Sequence, residues 1–490
     1  MPTAQSSRSP STTCTLEVSS GMRKWLIGFA AALTLASCDT GERAMQASPA
    51  HASMFGEVDV TLTGDFASLG AIHEVTLGGV RALDVRPAGG SITVRIQGAP
   101  QAGPAEIDID GDGGHVHNET AFSFDAPAGG APPRWMAFGA SLTQGVQSAG
   151  LDQHGQLAGY AAQVGRAAGV FLAPPLVVDG VMPPLAPSQF VGNCATKPDV
   201  GAIAGALFAA VTDPVTKETN IGLARRDPTQ ATRDPAVGGA TVNEVLHGML
   251  GPGAILDRIV ELPDGDPSRM WDPPPHPQID RLVAFDPDVA FSADLLANDA
   301  MPAVTQSDDL HPEMATDPAV LAPQIDQLVS AVGALHGQYF VANLLDVTLL
   351  PAVADLKQQR ISQGLDTESS FDAKIGAVQA IVAAYNAALA QSASRFPNVH
   401  VLDVATEASN ILTNGVDVNG VHLTGAKFGG LLSLDHMHFS DTGYAVLASF
   451  VIDALNAALG TKIPSVDLAA VNATDPFSPA NLVAAGVHCP

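Results

Sequence analysis

The chain has 490 residues, of which 23 are Lys or Arg and 50 are Asp or Glu, giving a formal net charge of −27 at pH 7. This charge argues against binding to nucleic acid, whose phosphates would be repelled, and it weakens attraction to anionic membrane surfaces. The length predicts two domains plus a targeting segment. A hydrophobic fraction of 46%, with 47 Gly and 36 Pro, indicates a large core joined by many turns.

The N-terminal region resembles an export signal. A short basic stretch at residues 22–24 precedes an apolar run over residues 25–35, which is too short to span a bilayer as a mature helix. Residues 35–38 (LASC) resemble the lipobox of bacterial lipoproteins. That resemblance implies a signal segment over residues 1–37, a lipid on Cys38 and a location at the bacterial cell envelope, on the membrane or its periplasmic or extracellular face. The alternative is an ordinary cleaved signal with an incidental cysteine.

A small β-domain is predicted next. Residues 38–54 are small and polar and suit a tether. Over residues 55–128, short segments alternate apolar and polar side chains between Gly, Pro and Asp turns, which indicates an antiparallel sandwich. The predicted strands are residues 58–62, 91–96, 105–109 and 120–124. This stretch resembles an IPT/TIG immunoglobulin-like domain, and Gly and Pro at residues 126–133 indicate a linker.

The larger domain is predicted over residues 132–465, where apolar strands alternate with amphipathic helices, and a C-terminal tail is predicted over residues 466–490. This order predicts a parallel sheet covered by helices on both faces. Ligands of such sheets bind at the carboxyl ends of the strands. The predicted strands are residues 135–138, 288–292, 338–343 and 398–402, and the clearest helices are residues 319–335 and 371–395.

Two distant segments contain the residues that acyl transfer requires. Residues 138–145 (FGASLTQG) place Ser141 on a glycine-flanked turn, and residues 435–444 (DHMHFSDTGY) place His438 three residues after Asp435. A serine nucleophile needs a base to accept its proton and an anion to orient the base. The sequence therefore predicts a serine hydrolase.

Four blocks in order resemble SGNH hydrolases. Residues 139–142 resemble the GDSL block, residues 238–242 the second block, residues 296–299 the GxND block and residues 435–444 the last block. The resemblance implies a flavodoxin-like α/β/α sandwich. It also implies an esterase or lipase that hydrolyses carboxylic esters through an acyl-serine, without a metal or an organic cofactor. Lipid esters, short acyl esters and acylated carbohydrates all stay open as substrates.

The same resemblance assigns roles to individual residues. Ser141 is the expected nucleophile, His438 the base and Asp435 the anion that orients it. The oxyanion hole is expected to consist of the backbone N–H groups of Ser141 and Gly239 and the side-chain amide of Asn298.

Each role has an alternative. Ser141 is also compatible with a helix N-cap. His436 competes with His438 as the base, and Asp441 with Asp435 as the orienting anion. Asn298 is also compatible with a turn, and the turn glycines Gly238 and Gly180 compete with Gly239.

Two positions depart from the family pattern. Ala140 replaces the aspartate of GDSL, and Leu296 replaces the glycine of GxND. They motivate an alternative function, a cell-envelope binding protein whose hydrolase fold has little or no activity. Acyl transfer to an acceptor other than water is a further alternative, because the same triad supports it.

Two other patterns have structural interpretations. Cys194 and Cys489 are an even pair that is compatible with a disulfide in an exported protein. Residues 108–119 match the EF-hand calcium loop in their letters, but strands flank them, so a hairpin turn is predicted instead. His115 and His117 are expected to be solvated on this hairpin, and no metal site is assigned.

Overall fold

The computed structural model describes residues 45–489 except 83, 99–101, 126–133, 171, 229, 251–252 and 263–275. The predicted signal segment, Cys38, the first part of the tether and the linker lie outside the described residues.

The N-terminal region is a β-sandwich. One sheet has the strand order β1-β3-β7-β6 and the other has the order β2-β9-β8-β4-β5. The strands are β1 (Gln46–Ser48), β2 (His51–Ser53), β3 (Phe55–Thr63), β4 (Ile72–Leu77), β5 (Val80–Arg81), β6 (Asp84–Ala88), β7 (Ser91–Gly98), β8 (Gly103–Gly111) and β9 (Gly114–Asp125).

The sandwich forms because alternate side chains point to one buried face. Val60, Val94, Ile107 and Ile109 are fully buried between the sheets. All four predicted strands are present, and β8 and β9 form the predicted hairpin, in which Gly111 pairs with Gly114. The Ig-like classification stays a prediction.

The sandwich begins earlier than the sequence predicted. β1 pairs with β3, and β2 pairs with β9, so part of the predicted tether belongs to the two sheets. Both strands have three residues and no buried side chain. The sequence therefore shows no alternation of apolar and polar residues here, and the strands are defined by the neighbours with which they pair.

The second region contains a parallel sheet whose strands are adjacent in chain order. Each strand pairs in parallel with the next, and a separate antiparallel hairpin lies near the C-terminal end. The parallel strands are β10 (Trp135–Ala137), β11 (Val289–Ser292), β12 (Gln338–Ala342) and β13 (Val399–Leu402), and the hairpin consists of β14 (Val416–Val418) and β15 (Val421–Leu423).

Fifteen α-helices lie in the described part of this region. They are α1 (Ser141–Gln144), α2 (Gln153–Ala158), α3 (Tyr160–Ala168), α4 (Val200–Ala210), α5 (Val242–His247), α6 (Gly253–Glu261), α7 (Gln278–Phe285), α8 (Ala297–Ala300), α9 (Pro318–Gly333), α10 (Pro351–Ser362), α11 (Glu368–Ala393), α12 (Val404–Asn414), α13 (Asp441–Leu459), α14 (Leu468–Thr474) and α15 (Pro479–Ala484).

Helices cover both faces of the parallel sheet, as the sequence predicts. On one face, Phe291 and Phe340 pack in a core with residues of α3 and α13. On the other face, Tyr339 and Val341 pack with residues of α7, α9 and α11. α11 and α13 are long and apolar enough to cross a membrane by composition, yet both contribute buried residues to these cores.

The flavodoxin-like strand order is less complete than the family resemblance implies. Beyond β10, the N–H of Ala137 donates to the Arg233 carbonyl at 2.9 Å, and the N–H of Arg233 donates to the Ala173 carbonyl at 2.9 Å. These two segments continue the sheet edge without forming strands. The mixed α/β class is confirmed, and the flavodoxin-like arrangement stays a prediction.

The predicted tail is packed against the rest of the region. Phe477 and Leu482 are buried in a small cluster with Phe190 and Leu434. A disulfide joins Cys194 to Cys489, with 5.5 Å between their Cα atoms. The C-terminal segment is therefore held by both apolar contacts and a covalent bond.

Candidate active site

Ser141 lies at the carboxyl end of β10, at the first position of the short helix α1. Ala140 occupies the N-cap, so Ser141 does not have the capping role that was its alternative. The preceding Gly139 adopts a φ of +137°, and a Cβ there would lie 2.5 Å from Oδ1 of Asp294 and 2.6 Å from Oγ of Ser292. Only glycine fits this turn, because both the conformation and the space exclude a side chain.

A buried carboxylate, Asp294, holds the turn that carries Ser141. Its Oδ1 accepts from the Ala140 N–H at 3.0 Å and from the Thr143 hydroxyl at 2.6 Å. Its Oδ2 accepts from the N–H groups of Leu142 at 2.7 Å and Thr143 at 3.2 Å. Four donors therefore fix the backbone on both sides of Ser141.

Asp294 explains how the turn is held although Ala140 lacks a carboxylate. The side chain is 3% exposed and comes from the loop after β11, the strand next to β10. Burial raises the pKa of Asp294, while the hydrogen bonds from the turn lower it. A carboxylate from the loop after the neighbouring strand therefore holds this turn, in which residue 140 is an alanine.

His438 and Asp435 form a close pair in the loop before α13. Nδ1 of His438 lies 2.6 Å from Oδ2 of Asp435. Oδ1 of the same carboxylate accepts from the N–H groups of Met437 at 3.0 Å and His438 at 2.9 Å. Burial opposes the charged carboxylate, but the charge of His438 and these hydrogen bonds outweigh it and lower the pKa of Asp435 to about 2.

The competing base, His436, has a different environment. Its ring packs edge-on against Phe428, with 5.0 Å between centroids. Burial, followed by the charge of Lys427, lowers the pKa of His436 to about 4. The ring is therefore a weaker proton acceptor at neutral pH than an ordinary imidazole.

The competing anion, Asp441, binds other partners. Its carboxylate lies 2.9 Å from Nε2 of His154 and accepts from the side-chain amide of Gln147 at 2.9 Å. It also occupies the first turn of α13, where a negative charge is stabilised by the helix dipole. These contacts assign Asp441 a structural role at the start of the helix.

The segment that follows Ser141 is bonded directly to the loop that carries His438. Ser148 donates its N–H to Oγ of Ser433 at 2.8 Å, and Ala149 donates its N–H to Oδ2 of Asp435 at 2.5 Å. Ser148 and Ala149 both adopt positive φ, 51° and 62°. Such a conformation is unfavourable for residues with a side chain and is maintained here by these contacts.

The other residues of the last block, Ser440, Gly443 and Tyr444, have structural roles at the start of α13. Ser440 caps α13 by accepting from the N–H of Gly443 at 3.0 Å. A Cβ on Gly443 would lie 2.1 Å from the carbonyl oxygen of Leu431, so no larger residue fits. Tyr444 donates its hydroxyl to the carbonyl of Val146 at 2.6 Å. The block therefore fastens α13 to the segment after Ser141.

Two backbone donors predicted for the oxyanion hole are unoccupied. Among the described residues, no acceptor is bonded to the N–H of Ser141 or of Gly239. The neighbouring donor at Gly238 is used, because it donates to Oε1 of Gln144 at 2.8 Å. Gly239 has a φ of +86°. The alternative Gly180 lies in a turn where a Cβ would meet nothing within 4 Å.

The block around Asn298 supports the Gly239 loop. Nδ2 of Asn298 donates to the carbonyl of Ala240 at 3.0 Å, and Asp299 accepts from the N–H of Val242 at 3.0 Å. Leu296 is 1% exposed and packs in the core with a φ of −93°, so this position requires no glycine.

A cavity of about 400 Å³ lies beside Asp435, and Ser141, Gly239, Asn298 and His438 are not among its lining residues. It lies between the elements that carry Asn298 and His438, since both Met301, at the end of α8, and Asp435 line it. Its wall is partly apolar, and Lys427, which forms an ion pair with Asp355, lies among its lining residues. The apolar lining residues include Val304, Leu350, Val353, Leu356, Leu434 and Met437.

The structure places Ser141 after β10 and Asn298 after β11, and it bonds the segment after Ser141 to Asp435, the partner of His438. Among the described residues, no hydrogen bond joins Ser141 to His438. The sequence analysis missed Asp294, Ser433 and Gln144. Only Asp294 had a visible signal, a charged residue directly after an apolar strand.

Two solved structures show a distant similarity to the chain. No protein family profile matches the sequence, and no curated protein matches it. The protein YxiM of Bacillus subtilis has 11% identity and a TM-score of 0.28 over 84% of this chain and 80% of its own. XAC1771, a carbohydrate acetylesterase of Xanthomonas citri, has 14% identity and a TM-score of 0.21 over 84% and 73%.

Proposed function

We propose that this protein hydrolyses carboxylic esters through an acyl-serine intermediate. The observation that supports this most strongly is the Asp435–His438 pair, whose carboxylate is also bonded to the segment that follows Ser141. The proposal combines a nucleophile from one end of the α/β region with a base and an orienting anion from the other. Each group has the chemistry that its role demands.

The proposed reaction starts with the hydroxyl of Ser141. With Asp435 ionised, Nδ1 of His438 would donate to it, and Nε2 would accept the serine proton as Oγ attacks the ester carbonyl. The tetrahedral intermediate collapses, and His438 returns the proton to the departing alcohol. Water, activated by the same imidazole, then attacks the acyl-serine and releases the carboxylic acid.

The negative oxygen of each tetrahedral intermediate would be bound by the N–H groups of Ser141 and Gly239. Both donors are unoccupied among the described residues, and the surrounding hydrogen bonds fix their directions. One such donor is worth about 3–4 kcal/mol of transition-state stabilisation. Asn298 would add a third donor through its second amide hydrogen, while the first holds Ala240.

The substrate is proposed to be a lipid ester, a short acyl ester or an acylated carbohydrate. The apolar part of the cavity beside Asp435 would receive the acyl chain, and the part near Lys427 and Asp355 would face polar groups. A lipid on Cys38 would place the enzyme on a membrane of the bacterial cell envelope, near such substrates. Acyl transfer to an alcohol is the alternative that the same residues support, and product analysis with competing alcohols distinguishes it from hydrolysis.

The test uses p-nitrophenyl esters from acetate to palmitate with the full-length chain. Ser141→Ala and His438→Ala are expected to abolish turnover. Ser449→Ala and His400→Ala, which change the same residue types elsewhere in the fold, are expected to retain it. If the unaltered chain shows no more turnover than Ser141→Ala and is not labelled by a fluorophosphonate, the proposal is wrong, and the binding-protein alternative replaces it.

A further inference from the structure

The hairpin of β8 and β9 carries a cluster of histidine and aspartate side chains that have no role in the proposed ester hydrolysis. Asp108 lies on β8, and His115 and His117 lie on β9. Asp108 pairs with His117 and Asp110 pairs with His115 in the antiparallel register. Because residues two apart in a strand point to the same side, all four side chains share one face of the sheet.

The donor atoms of three of these side chains converge. Oδ1 of Asp108 lies 2.7 Å from Nδ1 of His117 and 3.1 Å from Nε2 of His115. One donor atom from each residue lies within 4.8 Å of the others. Within the described part of the chain, no other group of three His, Cys, Asp or Glu side chains meets this condition.

A second set of carboxylates orients the two imidazoles. Nδ1 of His115 lies 2.9 Å from Asp110, and Nε2 of His117 lies 3.4 Å from Glu119. Each ring therefore presents one nitrogen to Asp108 and the other to a separate carboxylate. Histidines that bind metals usually hold a carboxylate on the second nitrogen, which fixes the ring and increases its basicity.

The strands that carry the cluster are rigidly placed. On the opposite face of the same hairpin, Ile107, Ile109 and Val116 are buried in the sandwich core. The hydroxyl of Thr76 on the neighbouring strand lies 3.5 Å from the other oxygen of Asp108. The face that carries the cluster is therefore supported by packing beneath it and by a contact beside it.

We propose that Asp108, His115 and His117 bind a divalent transition metal ion of the zinc class on the exposed face of the sandwich. Two imidazole nitrogens and one carboxylate oxygen suit zinc, nickel or copper better than calcium or magnesium, which prefer oxygen ligands alone. In a tetrahedral zinc site the donor atoms lie about 3.3 Å apart, because each lies about 2.0–2.2 Å from the metal. The spacings of 2.7 Å and 3.1 Å from Oδ1 of Asp108 to the two imidazole nitrogens are close to that value, and water would take the fourth position.

The chain offers a matched control for this site. His422 and Asp417 face each other across the hairpin of β14 and β15, with 2.9 Å between Nδ1 and Oδ1. This pair has one imidazole and one carboxylate on the same kind of hairpin, without the second histidine. It tests whether a single histidine–aspartate contact in an acidic protein is enough to bind the metal.

The experiment is isothermal titration of the full-length chain, stripped with EDTA, with zinc chloride. The unaltered chain and His422→Ala are expected to bind one more equivalent of zinc than the double variant His115→Ala/His117→Ala. Asp108→Asn, which keeps both imidazoles, is expected to weaken that binding by at least about tenfold. Circular dichroism checks whether the double variant is folded. Asp108→Asn provides a second test that does not depend on that result.

Two results would overturn the proposal. One is zinc binding with the same stoichiometry and affinity in the unaltered chain and in the double variant. If the double variant does not fold, the same result in Asp108→Asn would overturn the proposal. The other is tighter binding of calcium than of zinc, unchanged in the double variant, because carboxylates alone would then hold the cation.

Discussion

The hydroxyl of Ser433 accepts a hydrogen bond from the N–H of Ser148 at 2.8 Å. Ser433 belongs to the loop with Asp435 and His438, and Ser148 belongs to the segment that follows Ser141. Oγ of Ser148 accepts in return from the N–H of Leu434 at 3.1 Å. Two serines thus join the segment after the proposed nucleophile to the loop that carries the proposed base.

Ser433→Ala is expected to lower kcat about tenfold and to leave KM nearly unchanged. The change leaves the buried N–H of Ser148 without its acceptor, at a cost of about 1–3 kcal/mol, and loosens the His438 loop. Steady-state kinetics on one p-nitrophenyl ester measures the effect. Ser449→Ala, which removes a hydroxyl that binds only within α13, is the control. Equal kcat values for the two variants would show that this contact does not position the base.

Asp294→Asn is expected to lower kcat by about one to two powers of ten with a small change in KM. Each carboxylate oxygen of Asp294 accepts two hydrogen bonds from the turn around Ser141. In asparagine an NH2 group replaces one of these oxygens, and because this group is a donor facing donors, two of the four hydrogen bonds are lost. Displacing a reacting group by about 1 Å costs on the order of a hundredfold in rate. Unaltered kcat in a folded Asp294→Asn protein would contradict the positioning role.

Ala352→Trp is expected to reduce turnover of long acyl esters at least about tenfold more than turnover of acetate. Ala352 is an exposed residue of α10 that lines the cavity, so a large side chain narrows the space without disturbing the core. Small changes in an apolar pocket discriminate chain lengths by about 10–200-fold. Ala354→Trp, on the same helix but outside the lining, is expected to leave the chain-length profile unchanged. If both variants change the profile alike, the acyl chain binds elsewhere.

Reduction of the disulfide is expected to lower the free energy of unfolding by roughly 4–5 kcal/mol. The bond joins residues that are 295 positions apart. A cross-link lowers the conformational entropy of the unfolded chain, and this effect is larger when the closed loop is longer. Thermal unfolding with and without dithiothreitol measures the effect, with thiol counting to verify reduction. Cys489→Ser is the control and is expected to unfold at a temperature that dithiothreitol does not change. An unaltered midpoint in the verified reduced protein would refute the prediction.

Asp475 is expected to make the protein more stable as the pH falls from about 6 towards 4. Burial, followed by the nearby charge of Asp441, raises the pKa of Asp475 to about 6. The folded protein therefore takes up the proton at a higher pH than the unfolded chain, and stability rises as the pH falls through 6. The total is on the order of 2–3 kcal/mol.

The pH dependence of the unfolding temperature measures this contribution. Asp475→Asn is expected to show a smaller rise between pH 7 and pH 5 than the unaltered chain, because the titrating group is absent. Asp453→Asn, on an exposed position of α13, should follow the unaltered chain. Parallel curves for Asp475→Asn and the unaltered chain would contradict the raised pKa.

Much of the fold was predictable because its signals are local. Alternating apolar residues predicted β3, β7, β8 and β9, and apolar runs followed by helical periodicity predicted the parallel sheet. The hairpin of β8 and β9 was also predicted correctly, since strands flank its Asp-Gly turn. These patterns depend on side chains two, three or four residues apart, which the sequence displays directly.

Other features depend on distant partners and left little local signal. β1 and β2 are defined by the strands they pair with, and the packing of the tail depends on Phe190 and the disulfide. Ala140 replaces the aspartate of the GDSL block, whereas Asp294, 154 residues further along, supplies a carboxylate to the same turn. The support of the turn after β10 by a side chain from the loop after β11 is visible only in the folded structure.

The contact between Ala149 and Asp435 joins residues that are 286 positions apart. During synthesis, the ribosome adds the proposed nucleophile early and the base and its orienting anion late. A nascent chain that stops before Ser433 contains Ser141 but nothing to activate it. The proposed chemistry therefore requires that both segments have been translated, and a product terminated between them lacks the proposed base and its orienting anion.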